Sequence, residues 1–235
     1  SVPELSAFEG MRKIGGYKRL REVMVIAGIR TFKSMFIAAA AIWATQTIDV
    51  SALSPGEIPR YSVVSLTVDN AKVVLMHLLG ALKTKTLSRL RVDEKALSDC
   101  SQWRDIIKES SADLVGSVFL WHPSGRPIEV RVVAGRRAGG STVSRWSAGV
   151  GLDEAPRMVG ASEGVINYED IRKSVLGRLL PGAQLFSVGS PWAATGPVYE
   201  RVRKEFGNPT ASLVIIKARG PDMNPVWWTP ARCQE

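Results

Sequence analysis

The chain of 235 residues has few of the side chains that build cross-linked or metal-rich folds. It contains two cysteines, Cys100 and Cys233, and two histidines, too few for a disulfide framework or a cysteine-based zinc site. We therefore expect a hydrophobic core that is stable without cross-links, in a reducing compartment. The length fits one α/β domain, and we take residues 1–235 as that domain.

Long hydrophobic runs are also missing. The most apolar run, Met35–Ala44, is shorter than the roughly 20 residues that cross a bilayer, and Arg30 and Lys33 precede it. The first residues include Glu4 and Glu9 and lack the basic start and apolar centre of a signal peptide. These features predict a cytoplasmic protein with no membrane partner.

Positive charge is in excess: 31 Lys and Arg residues against 22 Asp and Glu residues give a formal net charge of +9. Such a balance favours a polyanionic partner, and nucleic acid is the leading candidate. Basic enzymes without a polyanionic partner are common, so charge alone does not decide the function.

Strand-like and helix-like segments alternate along the chain, without an internal repeat. The alternation predicts an α/β fold with a mostly parallel central sheet, helices on both faces and ligands at the carboxyl ends of the strands. The predicted elements are strand Val23–Ala27, helix Lys33–Thr45, strand Tyr61–Val68, helix Ala71–Lys83 with Asp69 as its cap, helix Asp93–Ser110, hairpin strands Val115–Trp121 and Ile128–Val133, strand Ala148–Leu152, helix Tyr168–Leu180, strand Gln184–Val188, helix Pro197–Phe206 and strand Ser212–Lys217.

The loop after the first predicted strand has a phosphate-binding pattern. Backbone N–H groups of such a loop contact phosphates, Lys33 reaches the β- and γ-phosphates of ATP, and the Ser34 hydroxyl binds Mg²⁺. Phe32 occupies a glycine position, which predicts a stiffened or distorted loop. An ordinary helix start is the alternative interpretation. The predicted nucleotide-binding residues are Ala27, Gly28, Ile29, Arg30, Thr31, Phe32, Lys33 and Ser34.

Two adjacent carboxylates, Asp153 and Glu154, follow the predicted strand Ala148–Leu152. In phosphoryl-transfer enzymes one acid anchors the magnesium shell and another activates the attacking water. We therefore predict Asp153 as a metal ligand and Glu154 as the catalytic base. A solvated acid pair in a turn is the alternative, but the phosphate-type loop about 120 residues upstream favours catalysis.

A further strand ends in the small residues Ser187-Val188-Gly189-Ser190-Pro191. A hydroxyl at this strand end can hydrogen-bond to a γ-phosphate, and Ser190 is the predicted contact. The alternative is that Ser-Pro simply ends the strand.

Two stretches, Leu176–Pro191 and Gly196–Glu200, resemble the large-terminase family of tailed bacteriophages. Val214–Ala218, followed by Met223-Asn224-Pro225, resembles the segment that closes the ATPase domain of that family. With the phosphate-type loop and the acid pair, the resemblance covers nearly the whole chain in the same order. It implies the additional-strand, catalytic-glutamate class of P-loop ATPases, with the two acids as Walker B acid and base and residues 187–191 as the coupling motif.

The same resemblance implies a motor that uses ATP and Mg²⁺ to translocate double-stranded DNA into a procapsid. Its partners would be the portal protein, the small terminase subunit and copies of itself in a ring, pentameric in the family. It would work in the host cytoplasm and transiently at the portal vertex of the procapsid. The family's nuclease domain has no counterpart in residues 1–235, so we expect the motor part only. A helicase-like P-loop DNA motor and a non-hydrolysing nucleic-acid-binding module with a degenerate loop are the alternatives.

A motor of this class also needs a positive charge that neutralises the transition state. Arg30 lies in the phosphate-type loop, and Arg136, Arg137 and Arg145 lie in a basic segment before the Asp153 strand. Our hypothesis is that Arg137, or failing it Arg136 or Arg145, acts as a finger in the site of a neighbouring subunit. A DNA-phosphate contact or a solvated patch is the alternative.

The pair Trp227-Trp228 near the end of the chain is predicted to be a packing surface. Basic residues do not interleave with it, which argues against a base-stacking platform.

Overall fold

The computed structural model describes residues 20–93, 114–135, 145–160, 166–208 and 212–233. The strands are β1 (Glu22–Ala27), β2 (Arg60–Ser65), β3 (Leu114–Trp121), β4 (Pro127–Ala134), β5 (Ser147–Asp153), β6 (Leu185–Gly189) and β7 (Leu213–Ala218), and the α-helices are α1 (Lys33–Thr47), α2 (Val68–Leu82), α3 (Tyr168–Leu176), α4 (Pro197–Glu205) and α5 (Gly220–Met223). Short 3₁₀ turns cover Ser88–Leu90, Ala155–Arg157 and Ala231–Cys233.

The predicted helix Asp93–Ser110 lies, apart from its first residue, outside the described residues. No helix within the described ranges combines the length and apolar character of a bilayer span.

Within these ranges the strands form one sheet in the order β3-β4-β2-β5-β6-β1-β7. β3 runs antiparallel to β4, and every other neighbouring pair is parallel. The predicted α/β fold with a mostly parallel sheet is therefore confirmed. One further strand, β6, lies between the strand of the phosphate-type loop and the strand of the acid pair.

Adjacent residues of β6 show that helices cover both faces of the sheet. Phe186 packs edge-on against Phe36 of α1, with ring centroids 5.7 Å apart. Ser187 points to the opposite face, since side chains alternate along a strand, and its hydroxyl lies 3.5 Å from the Tyr168 hydroxyl of α3. Burial on both faces explains why the inner strands appear in the sequence as continuous apolar runs.

α1 packs very closely against β5. A Cβ on Gly151 would lie 2.7 Å from Cγ2 of Ile37, which is closer than such atoms approach. Glycine at this position therefore lets α1 lie directly on β5. Because α1 begins at Lys33, the close packing also brings the phosphate-type loop toward the acids at the end of β5.

Three predicted boundaries were wrong. β2 ends at Ser65, and Thr67, not Asp69, caps α2, because its extended backbone lets the hydroxyl accept the Asn70 N–H at 3.2 Å. α3 ends at Leu176, and the following residues approach β5, where the Leu180 N–H donates to the Ser147 carbonyl. Backbone pairing with the sheet therefore replaces the last predicted turn of the helix.

Candidate site at the carboxyl edge of the sheet

The predicted functional segments meet at one edge of the sheet. β1, β6 and β5 are adjacent and parallel, so their carboxyl ends lie side by side. Ile26 pairs with Gly189 and Asp153 pairs with Val188, which places the ends of all three strands at one level. The phosphate-type loop, Ser190 and the acid pair therefore border the same space, at the edge where α/β sheets bind ligands.

The phosphate-type loop is folded back around the Lys33 ammonium. Lys33 Nζ donates to the Gly28 carbonyl at 2.6 Å, and the Thr31 hydroxyl donates to the same oxygen at 2.7 Å. Thr31 is buried, whereas Ile29 is exposed. Lys33 and Ser34 are the first two residues of α1, so their side chains stand at the amino end of that helix.

Backbone strain is concentrated at this site. Within the described residues, the non-glycine residues with positive φ are Arg30 (59°), Phe32 (61°) and Glu154 (58°). Each costs on the order of 1–3 kcal/mol, and strain of this kind collects at functional sites. Phe32 adopts the left-handed conformation that glycine favours, and the residue is 52% exposed, so the loop keeps a glycine-type turn at this position.

Asp153 is a buried carboxylate at the end of β5. It is 2% exposed, and the Ser65 hydroxyl of β2 lies 3.4 Å from its Oδ2. Burial, followed by the charge of Glu154, raises the pKa of Asp153 to about 6, against the opposing effects of Ser65 and Lys33. A carboxylate in this environment is stabilised by a bound cation, because the cation offsets the cost of burying the negative charge.

The Lys33 ammonium interacts electrostatically with the carboxylates of Asp153 and Glu154. Burial lowers the pKa of the Lys33 ammonium, and the charges of Glu154 and Asp153 oppose that shift. The structure thus brings together, across β6, the lysine and the acid pair that lie far apart in the sequence.

The Glu154 carboxylate has an ion-pair partner, but one of its oxygens makes no hydrogen bond within the described structure. The left-handed backbone of Glu154 turns the chain out of β5 into the 3₁₀ turn Ala155–Arg157. Its Oε2 atom is buried and makes no hydrogen bond within the described structure; the ion pair with Arg157 Nε spans 3.7 Å. A buried carboxylate oxygen with spare acceptor capacity can take a hydrogen bond and then a proton from water.

The segment 187–191 contacts the turn that carries Glu154. A Cβ on Gly189 would lie 2.2 Å from Cδ of Pro156, so the end of β6 touches this turn directly. The guanidinium of Arg157 also lies 4.1 Å from the ring centroid of Trp192, just beyond the segment. A movement of the turn that carries Glu154 would therefore displace residues 187–191, the predicted coupling motif.

The candidate arginines have separate locations. Arg30 directs its guanidinium over the Trp227 ring, 5.2 Å from the centroid. Arg145 lies before the amino end of β5, at the opposite edge of the sheet, and pairs with Glu129 at 3.5 Å. Arg136 and Arg137 lie outside the described residues.

Several residues near the site were missed in the sequence. Ser65 was missed because the predicted strand ran on to Val68, which hid its true end at the carboxyl edge. Arg157 carried no signal beyond its spacing from Glu154. Arginines that do not interleave with the tryptophan pair in the sequence approach it in space, since Arg30 and Arg232 both lie over Trp227.

The fold is similar to that of the ATPase domains of bacteriophage large terminases. The large terminase from a thermophilic bacteriophage superimposes with a TM-score of 0.59 and 12% sequence identity, over 100% of this chain and 48% of that one. This chain thus spans about half the length of that protein. The large terminase ATPase domain of Thermus phage P74-26 gives a TM-score of 0.54 and 12% identity, over 97% of this chain and 91% of that one. A mutant of that domain gives 0.53 and 11%, over 97% and 92%. No protein-family model matches the sequence, and neither does any curated protein.

Proposed function

We propose that this chain is the ATPase motor domain of a viral large terminase, which couples ATP hydrolysis to translocation of double-stranded DNA into a procapsid. The observation that carries the proposal is the convergence of Lys33 with Asp153 and Glu154 across one intervening strand. This arrangement occurs in a fold shared with large-terminase ATPase domains.

The site fits a magnesium-bound triphosphate. Carboxylate and hydroxyl oxygens are the ligands that Mg²⁺ prefers, and a strand-end acid with a raised pKa gains from a nearby cation. In our proposal the loop of residues 27–34 and Lys33 bind the phosphates, while Ser34 and Asp153 hold the metal. When bound, Mg²⁺ would neutralise negative charge on the phosphates.

Glu154 is the proposed general base. Its unsatisfied Oε2 accepts a hydrogen bond from the attacking water and takes the proton. Arg157, 3.7 Å away, holds the carboxylate as an ion pair, and Ser190 at the end of β6 hydrogen-bonds to the terminal phosphate. We propose that loss of this phosphate contact moves the 187–191 segment, which touches the Glu154 turn at Pro156.

The wider motor is proposed on the net charge of +9 and on the likeness to terminase domains. Positive charge favours DNA phosphates. We propose that the chain works as a homo-oligomeric ring in the host cytoplasm, transiently at the portal vertex, with the portal protein and the small terminase subunit. Arg137 is the proposed finger from a neighbouring subunit, and Arg30 is the proposed positive charge within the loop.

Two substitutions test the nucleotide site. Lys33→Ala should weaken MgATP binding by at least tenfold in calorimetry, because it removes a charged phosphate contact. Lys72→Ala, which removes an exposed lysine of α2, should not weaken binding. Glu154→Gln should keep MgATP binding but slow phosphate release by about 10²–10⁴-fold, the usual contribution of a general base.

The outcomes separate the candidate functions. A wild-type chain that binds ATP but never releases phosphate, even in assembled rings, would indicate the non-hydrolysing module. An ATPase that unwinds DNA but does not fill procapsids would indicate the helicase-like motor. If Lys33→Ala does not change the affinity for MgATP, the loop of residues 27–34 is not the nucleotide-binding site.

A further inference from the structure

The last described segment of the chain packs directly on the phosphate-type loop. The Gly28 N–H donates to the Ala218 carbonyl at 3.3 Å, and a Cβ on Gly28 would lie 3.0 Å from the Gly220 nitrogen. A Cβ on Gly220 would in turn lie 2.5 Å from Nε1 of Trp228. Glycines at both positions allow the loop, the start of α5 and the indole to stack in contact.

Two side chains of this segment donate to consecutive carbonyls of the loop. Asn224 Nδ2 donates to the Arg30 carbonyl at 2.8 Å, and Trp228 Nε1 donates to the Ile29 carbonyl at 3.0 Å. The Asn224 amide is itself oriented, since its Oδ1 accepts the Trp227 N–H at 3.3 Å. The donors are separated from their acceptors by more than 190 residues.

These two bonds fix the direction of the neighbouring N–H groups. In a trans peptide the carbonyl of one residue and the N–H of the next point in opposite directions. With the Ile29 and Arg30 carbonyls held toward the C-terminal segment, the N–H groups of Arg30 and Thr31 point away from it. Neither N–H donates to another residue in the described part of the chain. Adjacent free N–H groups of this kind bind anions.

We infer that Asn224 and Trp228 are positioning residues that hold the phosphate-type loop in its anion-binding conformation before a ligand arrives. This inference rests on the proposed function for the identity of the anion, a nucleoside triphosphate. It also accounts for the persistence of the strained Arg30 backbone, because the hydrogen bond to its carbonyl holds the left-handed turn.

The test uses Trp228→Phe, which removes the indole N–H and keeps an aromatic ring, and Asn224→Ala as the second variant. Trp146→Phe is the matched control, since Trp146 is an exposed tryptophan that precedes the amino end of β5. ¹⁵N relaxation order parameters are measured for the amides of residues 29–32 without ligand. Calorimetry then gives the dissociation constants for MgATP, inorganic tripolyphosphate and adenosine.

Each variant should lower the order parameters of residues 29–32 while leaving those of β4 unchanged. It should weaken MgATP and tripolyphosphate by a similar factor, on the order of tenfold for one hydrogen bond, and leave adenosine affinity unaltered. A purely structural defect would instead weaken all ligands together. Unchanged loop order or unchanged tripolyphosphate affinity in both variants would overturn the inference. If the wild-type chain binds no triphosphate, the proposed function fails, and the order parameters alone decide whether this segment holds the loop.

Discussion

Buried acids lie at both edges of the central sheet, and they differ in how many hydrogen-bond partners the protein gives them. At the amino edge, Glu22 accepts hydrogen bonds of 2.7–2.9 Å from both Arg172 and Arg201. At the carboxyl edge, the described residues give Asp153 a serine hydroxyl at 3.4 Å and a hydrogen bond from the Glu154 backbone but no guanidinium partner, and Glu154 Oε2 has no hydrogen bond in the described structure. At the amino edge both oxygens of the Glu22 carboxylate are paired with guanidinium groups, whereas the acids of the carboxyl edge keep capacity for a ligand.

A second cluster repeats the pattern at the amino edge. Glu129 is 5% exposed and lies between Arg60 at 2.8 Å, Arg145 at 3.5 Å and Arg131 at 3.8 Å. The three guanidinium groups offset the cost of burying this acid. We therefore assign the amino-edge clusters to stability and the carboxyl-edge acids to function.

The pKa shifts of two buried acids express the same contrast. Burial raises the pKa of Glu22, but the hydrogen bonds and charges of Arg172 and Arg201 outweigh it and hold the pKa below the ordinary value. Burial also raises the pKa of Asp153, and there the local partners do not outweigh it. Similar desolvation thus gives opposite shifts, depending on whether the protein itself provides the cations.

The largest expected effect on stability is at the amino edge. Glu22→Ala leaves the buried Arg201 and the partly buried Arg172 without their shared carboxylate, and breaking such a pair costs about 3–5 kcal/mol of unfolding free energy. Urea unfolding followed by circular dichroism measures the loss. Glu200→Ala, which breaks the exposed pair with Arg203, should cost less than about 1 kcal/mol. Equal losses for the two variants would remove the contrast between the buried cluster and an ordinary surface pair.

The sequence was sufficient for much of the fold because continuous apolar runs and strand-end polar residues are local signals. The loop before Lys33 and the pair Asp153-Glu154 could be placed at one edge because carboxyl ends of parallel strands meet there. The order of the strands, with β6 between β1 and β5, has no local signal in the sequence and comes from the structure.

The partners of these residues could not be predicted in the same way. Glu22 and Arg201 are 179 residues apart, and Trp228 and Ile29 are 199 apart, so no short-range pattern connects them. Such pairs depend on how the helices and the last segment pack against the sheet. The cap at Thr67 was missed for a smaller reason, because Asp69 two residues later has an equally good capping side chain.

An intermediate effect is expected from Asp153→Asn. The folded pKa of about 6 exceeds the ordinary value of 3.8, so the wild-type carboxyl takes up a proton on folding and its burial costs stability as pH rises from about 4 to 6. The variant should therefore match the wild type near pH 4 and exceed it by about 2–3 kcal/mol above pH 7. Urea unfolding at both pH values measures this difference. Asp69→Asn, an exposed acid, is the control; a gain of the same size at both pH values would disprove the role of Asp153 ionisation.

The smallest effect tests the strain in the phosphate-type loop. Phe32 has φ 61° and ψ 21°, and the residue is half exposed, so glycine relieves the left-handed backbone while little apolar burial is lost. Phe32→Gly should therefore be more stable than Phe32→Ala by about 0.5–1 kcal/mol, after the greater entropy of unfolded glycine is counted. The two variants differ only by the Cβ atom, so the comparison isolates the backbone term. If thermal unfolding shows that Phe32→Ala is the more stable variant, the backbone of Phe32 is not strained.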